Sequence, residues 1–141
     1  DLGRNQLQTL DGQALECCPA LSTLILSQNL LREPPSPLCL PLLNELWLSG
    51  NQIRSMGSWA SSPTETLLHL QDNALETLGG RFSLAGCPLL RSFDASFNQL
   101  RAPDEIALSL EACSGLEEVR LHDNPASACP NYADAIALSC P

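Results

Sequence analysis

A chain of 141 residues with 44% hydrophobic residues is long enough to bury the core of one domain. Its net charge of −9, with arginine but no lysine, would repel a phosphate backbone, so nucleic acid is not expected as a direct partner and a basic protein element is better matched. No apolar run is long enough to cross a membrane, and no membrane partner is expected.

One phrase, Leu-x-x-Leu-x-Leu-x-x-Asn, recurs along the chain, and its clearest copy occupies residues 43–51. Six copies, the first of them partial, place their asparagines at intervals of 22 to 26 residues, at Asn5, Asn29, Asn51, Asn73, Asn98 and Asn124. A period of about 20 to 29 residues with this pattern is the signature of leucine-rich repeats. We therefore predict an α/β leucine-rich repeat solenoid. Its curved parallel sheet would line the concave face, and 3₁₀ turns, short helices and extended segments would form the convex face.

The repeats divide the chain into a solenoid and a cap. Residues 1–124 hold about six repeats, and residues 125–141 form a C-terminal cap that is cut short. The first five residues already match the second half of the phrase. We therefore expect the sequence to be a fragment of a larger polypeptide.

Each position of the phrase has a physical role. The Leu-x-Leu pair alternates with other residues at period two, as in a short strand, so the leucines should face inward and the residues between them outward. Each asparagine follows a strand, where its amide can bond backbone groups of the neighbouring coil and continue as a ladder. Stacked copies then share one core. We assign structural roles to Asn29, Asn51, Asn73, Asn98 and Asn124.

The segments after the asparagines predict different convex structures. Ile53, Met56 and Trp59 recur every third residue, which favours a 3₁₀-like or irregular segment. Prolines at positions 34, 35 and 37 predict an extended segment. Residues 79–90 and 103–116 have room for helical turns, and Pro103 followed by two acidic residues indicates a helix start.

The number and spacing of the seven cysteines predict neither a closed disulfide framework nor a zinc site, because the number is odd and no Cys-x-x-Cys spacing occurs. Four occupy one slot, three residues before the first strand leucine, where another copy has leucine. This predicts small buried hydrophobic side chains. The four are Cys18, Cys87, Cys113 and Cys140, whereas Cys17, Cys39 and Cys129 lie outside the slot.

The 22-residue spacing resembles the intracellular leucine-rich repeats typified by the regulatory subunit of protein phosphatase 1. The ending is similar to the C-terminal cap of that class, found also in axonemal dynein light chain, ciliary repeat proteins and the A-prime protein of the U2 spliceosomal particle. The similar residues are Asn124-Pro125, Tyr132, Ile136 and Cys140-Pro141. Ala133 and Cys140 stand where the family has arginine and leucine. The resemblance implies a structural role for Tyr132 and a cytoplasmic protein of the cilium or cytoskeleton.

Three alternatives remain open. The extracellular class of leucine-rich repeats also has a cap that begins with Asn-Pro near a cysteine, as Asn124-Pro125 and Cys129 do, although its tight Cys-x-Cys pair is missing here. A secreted recognition module is therefore one alternative. The others are a regulatory subunit that binds an enzyme such as a phosphatase, and a spliceosomal protein.

Residues between the strand leucines should project from the concave face in columns. Ile25, Trp47 and Leu67 predict an exposed apolar patch, since neighbouring strands lie about 4.8 Å apart. Tryptophan is a frequent binding anchor, so we expect Trp47 to contact a partner. The alternative is an isolated surface aromatic residue.

The C-terminal half of that face carries charge. This half is predicted to form an acidic strip suited to a partner's arginine or lysine. Its residues are Asp72, Asp94, Glu118 and Asp123, and Arg120 offsets part of their negative charge. The alternative is a solvated face. The full set predicted to contact a partner is Ile25, Glu45, Trp47, Leu67, His69, Asp72, Asp94, Phe97, Glu118 and Arg120.

Catalysis is not expected. His69 and His122 lie two strands apart with Asp94 between them, but an open sheet provides no pocket to desolvate such a cluster. The sequence has no Gly-rich phosphate loop, nucleophile elbow or paired-Cys metal spacing. We expect a scaffold without cofactor or metal that binds another protein through a basic or apolar element.

Overall fold

The computed structural model describes residues 1–56, 66–79, 84 and 87–139. Five strands of three residues form one parallel sheet in sequence order. They are β1 (Thr23–Ile25), β2 (Glu45–Trp47), β3 (Leu67–His69), β4 (Ser92–Asp94) and β5 (Glu118–Arg120). The first copy extends this sheet, because the N–H of Leu2 donates to the carbonyl of Ile25 at 2.8 Å and that of Arg4 to the carbonyl of Ser27 at 2.8 Å.

The strand register follows the repeat. The middle residue of each strand pairs with the middle residue of the next, along Leu24, Leu46, Leu68, Phe93 and Val119. The first four of these are buried, and Val119 is half-buried at the end of the sheet. The period-two alternation thus directs one row of side chains into a core shared by all coils, as predicted.

The convex side is irregular at the N-terminal end and helical at the C-terminal end. Ile53 and Met56 are buried, at 0% and 1% exposure, as their spacing predicted, whereas Trp59 lies outside the described residues. The proline-rich segment of residues 34–37 contains no helix. The predicted helical turns of residues 79–90 fall largely outside the described residues. In the part of the chain that the structure covers, no helix is both long and apolar enough to cross a membrane.

Two helices close the C-terminal end. α1 (Pro103–Leu110) begins at the predicted proline with two acidic residues in its first turn, which suits the helix dipole. A 3₁₀ helix, Pro125–Ala128, follows Asn124, and α2 (Tyr132–Ser139) packs against α1. Tyr132 and Ile136 pack partly buried against the core. These two residues thus lie on one helix, and residues 140 and 141 lie outside the described part.

The asparagine ladder is present from Asn29 to Asn124. Asn51 shows the pattern: its Oδ1 accepts the N–H of Leu31 at 3.0 Å, and its Nδ2 donates to the carbonyls of Leu26 at 3.0 Å and Leu48 at 2.9 Å. The other four make the equivalent bonds to their own coil and to the preceding one. The amides therefore satisfy backbone groups that a three-residue strand leaves unpaired.

The cysteine slot is only partly buried. Cys87 and Cys113 are buried, at 0% and 1% exposure, and the Cys113 thiol donates weakly to the carbonyl of Cys87 at 3.7 Å. The prediction was wrong for Cys18, which is exposed. Residues 16–20 are all exposed, so the turn that carries Cys18 lies at the surface instead of packing into the core. Cys140 lies outside the described residues.

Candidate functional site

The sheet places eight of the ten sequence-predicted binding residues in two parallel columns on its outer face, and Asp72 and Phe97 follow the ends of their strands. One column is Thr23, Glu45, Leu67, Ser92 and Glu118, and the other is Ile25, Trp47, His69, Asp94 and Arg120. Each residue is paired in register with the next member of its column. The predicted columns are therefore confirmed, and side chains from adjacent coils lie within contact range.

An apolar cluster occupies the N-terminal half of this face. We call Ile25, Trp47, Leu67 and His69 the aromatic patch; all four are half-buried. The rings of Trp47 and His69 are stacked, with centroids 4.0 Å apart and an interplanar angle of 19°. The indole Nε1 donates to Glu45 Oε2 at 3.3 Å. The indole is thus fixed from two sides on the sheet face.

His69 is an uncharged member of the patch. Burial lowers the pKa of its imidazole, and this effect outweighs the carboxylate of Asp94, which raises the pKa. Its Nδ1 is buried and makes no hydrogen bond with any described residue. A neutral ring stacks on the indole without the cost of burying a charge, so this histidine serves as an aromatic surface at neutral pH.

Asp94 departs from the predicted acidic strip. It is only 6% exposed, and its Oδ1 accepts the N–H of Ser96 at 3.0 Å and the hydroxyl of Ser96 at 2.6 Å. Arg120 lies 3.8 Å from its Oδ2. The prediction of an exposed carboxylate at this position was wrong, because a local turn with Ser96 holds the carboxylate against the backbone.

Glu118 and Arg120 neutralise each other at the C-terminal end of the columns. Arg120 Nη2 lies 2.6 Å from Glu118 Oε1, and both side chains are about half exposed, at 52% and 50%. An exposed pair of this kind contributes little stability. The carboxylates that remain available on this half of the face are those of Asp72 and Asp123, which are exposed.

Phe97 is the most exposed aromatic side chain of the described face, at 54%. Its ring makes an edge contact with His122, with centroids 5.1 Å apart and an interplanar angle of 84°. Its backbone has φ 53°, in the left-handed region. The sequence predicted Phe97 as a binding residue but not this conformation.

The two histidines of this face form aromatic contacts. Among the described residues, no group of three or more His, Cys, Asp or Glu side chains could hold a metal ion. His69 and His122 belong to different aromatic contacts, one with Trp47 and the other with Phe97. Each histidine thus contributes a ring to the surface of the sheet face.

Sequence reasoning missed two features of the face. It did not foresee that Trp47 stacks on His69, because their pairing depends on side-chain rotamers rather than on register. It also missed the left-handed backbone at Phe97. A signal was present: Gly50, Asp72 and Asp123 occupy the equivalent position in other copies, and glycine and aspartate tolerate this conformation better than other residues.

The fold is a leucine-rich repeat solenoid, and comparisons with solved structures agree. A leucine-rich repeat protein of Leptospira interrogans is 22% identical over 96% of this chain, with a TM-score of 0.73. A chain of the Drosophila melanogaster SNF/U2A′ complex is 24% identical over 96% of this chain, with a TM-score of 0.53. This chain spans only 34% and 63% of those two chains. No protein-family model matches the sequence, and no curated protein matches it.

Proposed function

We propose that the chain is a non-catalytic scaffold for protein–protein interaction that docks a partner on the concave face of its sheet. The observation that carries this proposal is the aromatic patch. Trp47 lies on the sheet face, where it stacks on another surface ring instead of packing into the core. A large aromatic side chain without a core role is a frequent interface anchor.

The geometry of Trp47 favours binding energetically. The Glu45 carboxylate and the His69 ring already hold the indole, so docking would cost little further side-chain entropy. Ile25 and Leu67 add half-buried apolar surface on the adjacent strands. A partner that covers the patch would remove this apolar surface from water, which favours a complex.

We place this scaffold in a cytoplasmic assembly of the cytoskeleton or cilium. The support is the resemblance of the C-terminal cap: Asn124 begins the cap, and Tyr132 and Ile136 lie on α2 at the spacing that the family pattern has. A regulatory subunit that binds an enzyme such as a phosphatase would use the same face. The identity of the partner distinguishes these two settings.

The test compares three proteins: wild type, Trp47→Ala and the control Leu108→Ala. Leu108 is exposed on α1, away from the sheet, at 37%. After cross-linking in ciliated cells, we expect axonemal or microtubule proteins with wild type and Leu108→Ala, and their loss with Trp47→Ala. Circular dichroism must show all three proteins folded. If folded Trp47→Ala captured the same proteins as wild type, docking on this face would be excluded.

A further inference from the structure

One position of the repeat imposes an unusual backbone conformation on every coil. The residue just before each asparagine has φ between 53° and 65°, at Arg4, Gln28, Gly50, Asp72, Phe97 and Asp123. Glycine adopts this region freely and aspartate tolerates it, whereas a bulky side chain is strained there. Arg4, Gln28 and Phe97 are therefore poorly suited to this position, and Phe97 is the one aromatic residue among them.

Packing does not account for Phe97. Its side chain is 54% exposed, and its ring contacts His122 by an edge rather than entering the core. Both backbone preference and burial would favour a small polar residue at this position. An exposed aromatic residue with an unfavourable backbone conformation points to a binding role.

Two aspartates occupy the position equivalent to Phe97 on the adjacent coils. The N–H of Asp72 donates to the carbonyl of Ser96 at 3.1 Å, and the N–H of Phe97 donates to the carbonyl of His122 at 3.0 Å. These bonds place Asp72, Phe97 and Asp123 in one column on three adjacent coils, about 5 Å apart. Both aspartates are exposed, and among the described residues neither forms a salt bridge with an arginine. The Nε2 of His122 lies 3.9 Å from Asp123 Oδ2.

We infer that Phe97, Asp72 and Asp123 form a binding site for an arginine side chain of the docked protein. A guanidinium group can stack on an aromatic face and donate hydrogen bonds to carboxylates at its edges. It is also hydrated more weakly than an ammonium group, so it loses less on contact with a half-exposed ring. This inference rests on the proposed docking function and specifies the chemistry of the partner.

The test uses a fluorescein-labelled peptide with three arginines separated by Gly-Ser pairs, and the same peptide with lysines. Fluorescence anisotropy measures binding to the 141-residue chain at two salt concentrations. The arginine peptide should bind more tightly than the lysine peptide. Phe97→Asn should weaken binding of the arginine peptide about two- to fivefold, the range for an exposed cation–π contact, whereas Phe97→Tyr should retain binding.

Stability separates a binding role for Phe97 from a structural one. Asparagine accepts the left-handed backbone, so Phe97→Asn should raise the melting temperature of the protein while it weakens binding of the arginine peptide. A lower melting temperature for this variant would show that Phe97 serves the fold and would overturn the inference.

A charge-matched control excludes general attraction to an acidic protein. The double variant Asp72→Asn, Asp123→Asn should weaken binding of the arginine peptide. The control double variant Glu16→Gln, Glu33→Gln, which removes two exposed carboxylates elsewhere, should weaken it less. Equal losses in the two variants, or equal binding of the arginine and lysine peptides, would overturn the inference. Neither result would affect docking at Trp47, because the cross-linking test of Trp47→Ala reports on that site independently.

Discussion

The indole of Trp47 and the imidazole of His69 lie face to face, 4.0 Å apart, on adjacent strands of the sheet. This contact connects a fluorescent ring to a titratable one. Burial holds the His69 pKa below its ordinary value, so the stack is neutral at physiological pH. The optical properties of Trp47 should therefore report the charge of His69.

Acidification should quench the fluorescence of Trp47. In a Trp59→Phe background, where Trp47 is the remaining tryptophan, its emission should be constant at neutral pH and fall as His69 becomes protonated at a pH below 6.5. The physical reason is that an imidazolium accepts an electron from an excited indole more readily than a neutral ring does. His69→Gln should abolish the pH dependence. A transition that survived in that variant, or one centred above 6.5, would contradict the assignment.

The same titration should affect stability. The folded pKa of His69 is lower than the unfolded value, so below pH 6.5 the unfolded chain takes up the proton first. The contribution of His69 to the free energy of unfolding is thus fully present above 6.5 and is lost as pH falls through the folded pKa. Melting temperatures measured from pH 7.5 downward should decrease less in His69→Gln than in wild type.

The asparagine ladder should be costly to interrupt in the middle of the solenoid. Asn51→Ala leaves the N–H of Leu31 and two carbonyls without their partner in a buried setting, so we expect a loss of about 3 kcal/mol in the free energy of unfolding. Asn5 is exposed at the first coil, so Asn5→Ala should cost less than about 0.5 kcal/mol. Urea unfolding followed by circular dichroism measures both. Similar losses of stability in the two variants would show that the contribution of an asparagine does not depend on its position in the ladder.

Most of the fold follows from the sequence because the repeat encodes it several times. Each copy specifies which leucines enter the core and where the asparagine bonds the preceding coil, so register and ladder were predictable from spacing alone. Cys18 shows the limit of this reasoning. It occupies the same slot as the buried Cys113, but the turn that carries it, residues 16–20, is exposed throughout.

The candidate site was predictable in its columns but not in its details. Register placed Trp47 beside His69, whereas their parallel stacking depends on rotamers and on the Glu45 hydrogen bond. The sequence also did not reveal that Asp94 is buried, since a side chain between two strand leucines is normally exposed. Local hydrogen bonds to Ser96 override that rule.

Exposed and buried cysteines should react with a thiol reagent at different rates. Burial raises the Cys113 pKa from 9.0 to about 11, which lowers its thiolate fraction about a hundredfold at neutral pH. Cys17, Cys18 and Cys39 are exposed and should be labelled first by a brief pulse of N-ethylmaleimide. Mass spectrometry of the digested protein identifies the labelled peptides. Early labelling of Cys113 in folded protein would contradict its burial.

Asp94 should behave as a structural residue despite its place in the binding column. In Asp94→Ala the buried N–H and hydroxyl of Ser96 lose their acceptor, so we expect the free energy of unfolding to fall by about 2 kcal/mol. Asp72→Ala, an exposed position in the neighbouring coil, should change it by less than about 0.5 kcal/mol. Chemical denaturation measures the difference. Equal stability of the two variants would indicate that Asp94 is exposed in solution and available to a partner. If the expected difference is found, loss of a partner in an Asp94 variant reflects altered folding of the face, and Asp72 is the aspartate that tests binding.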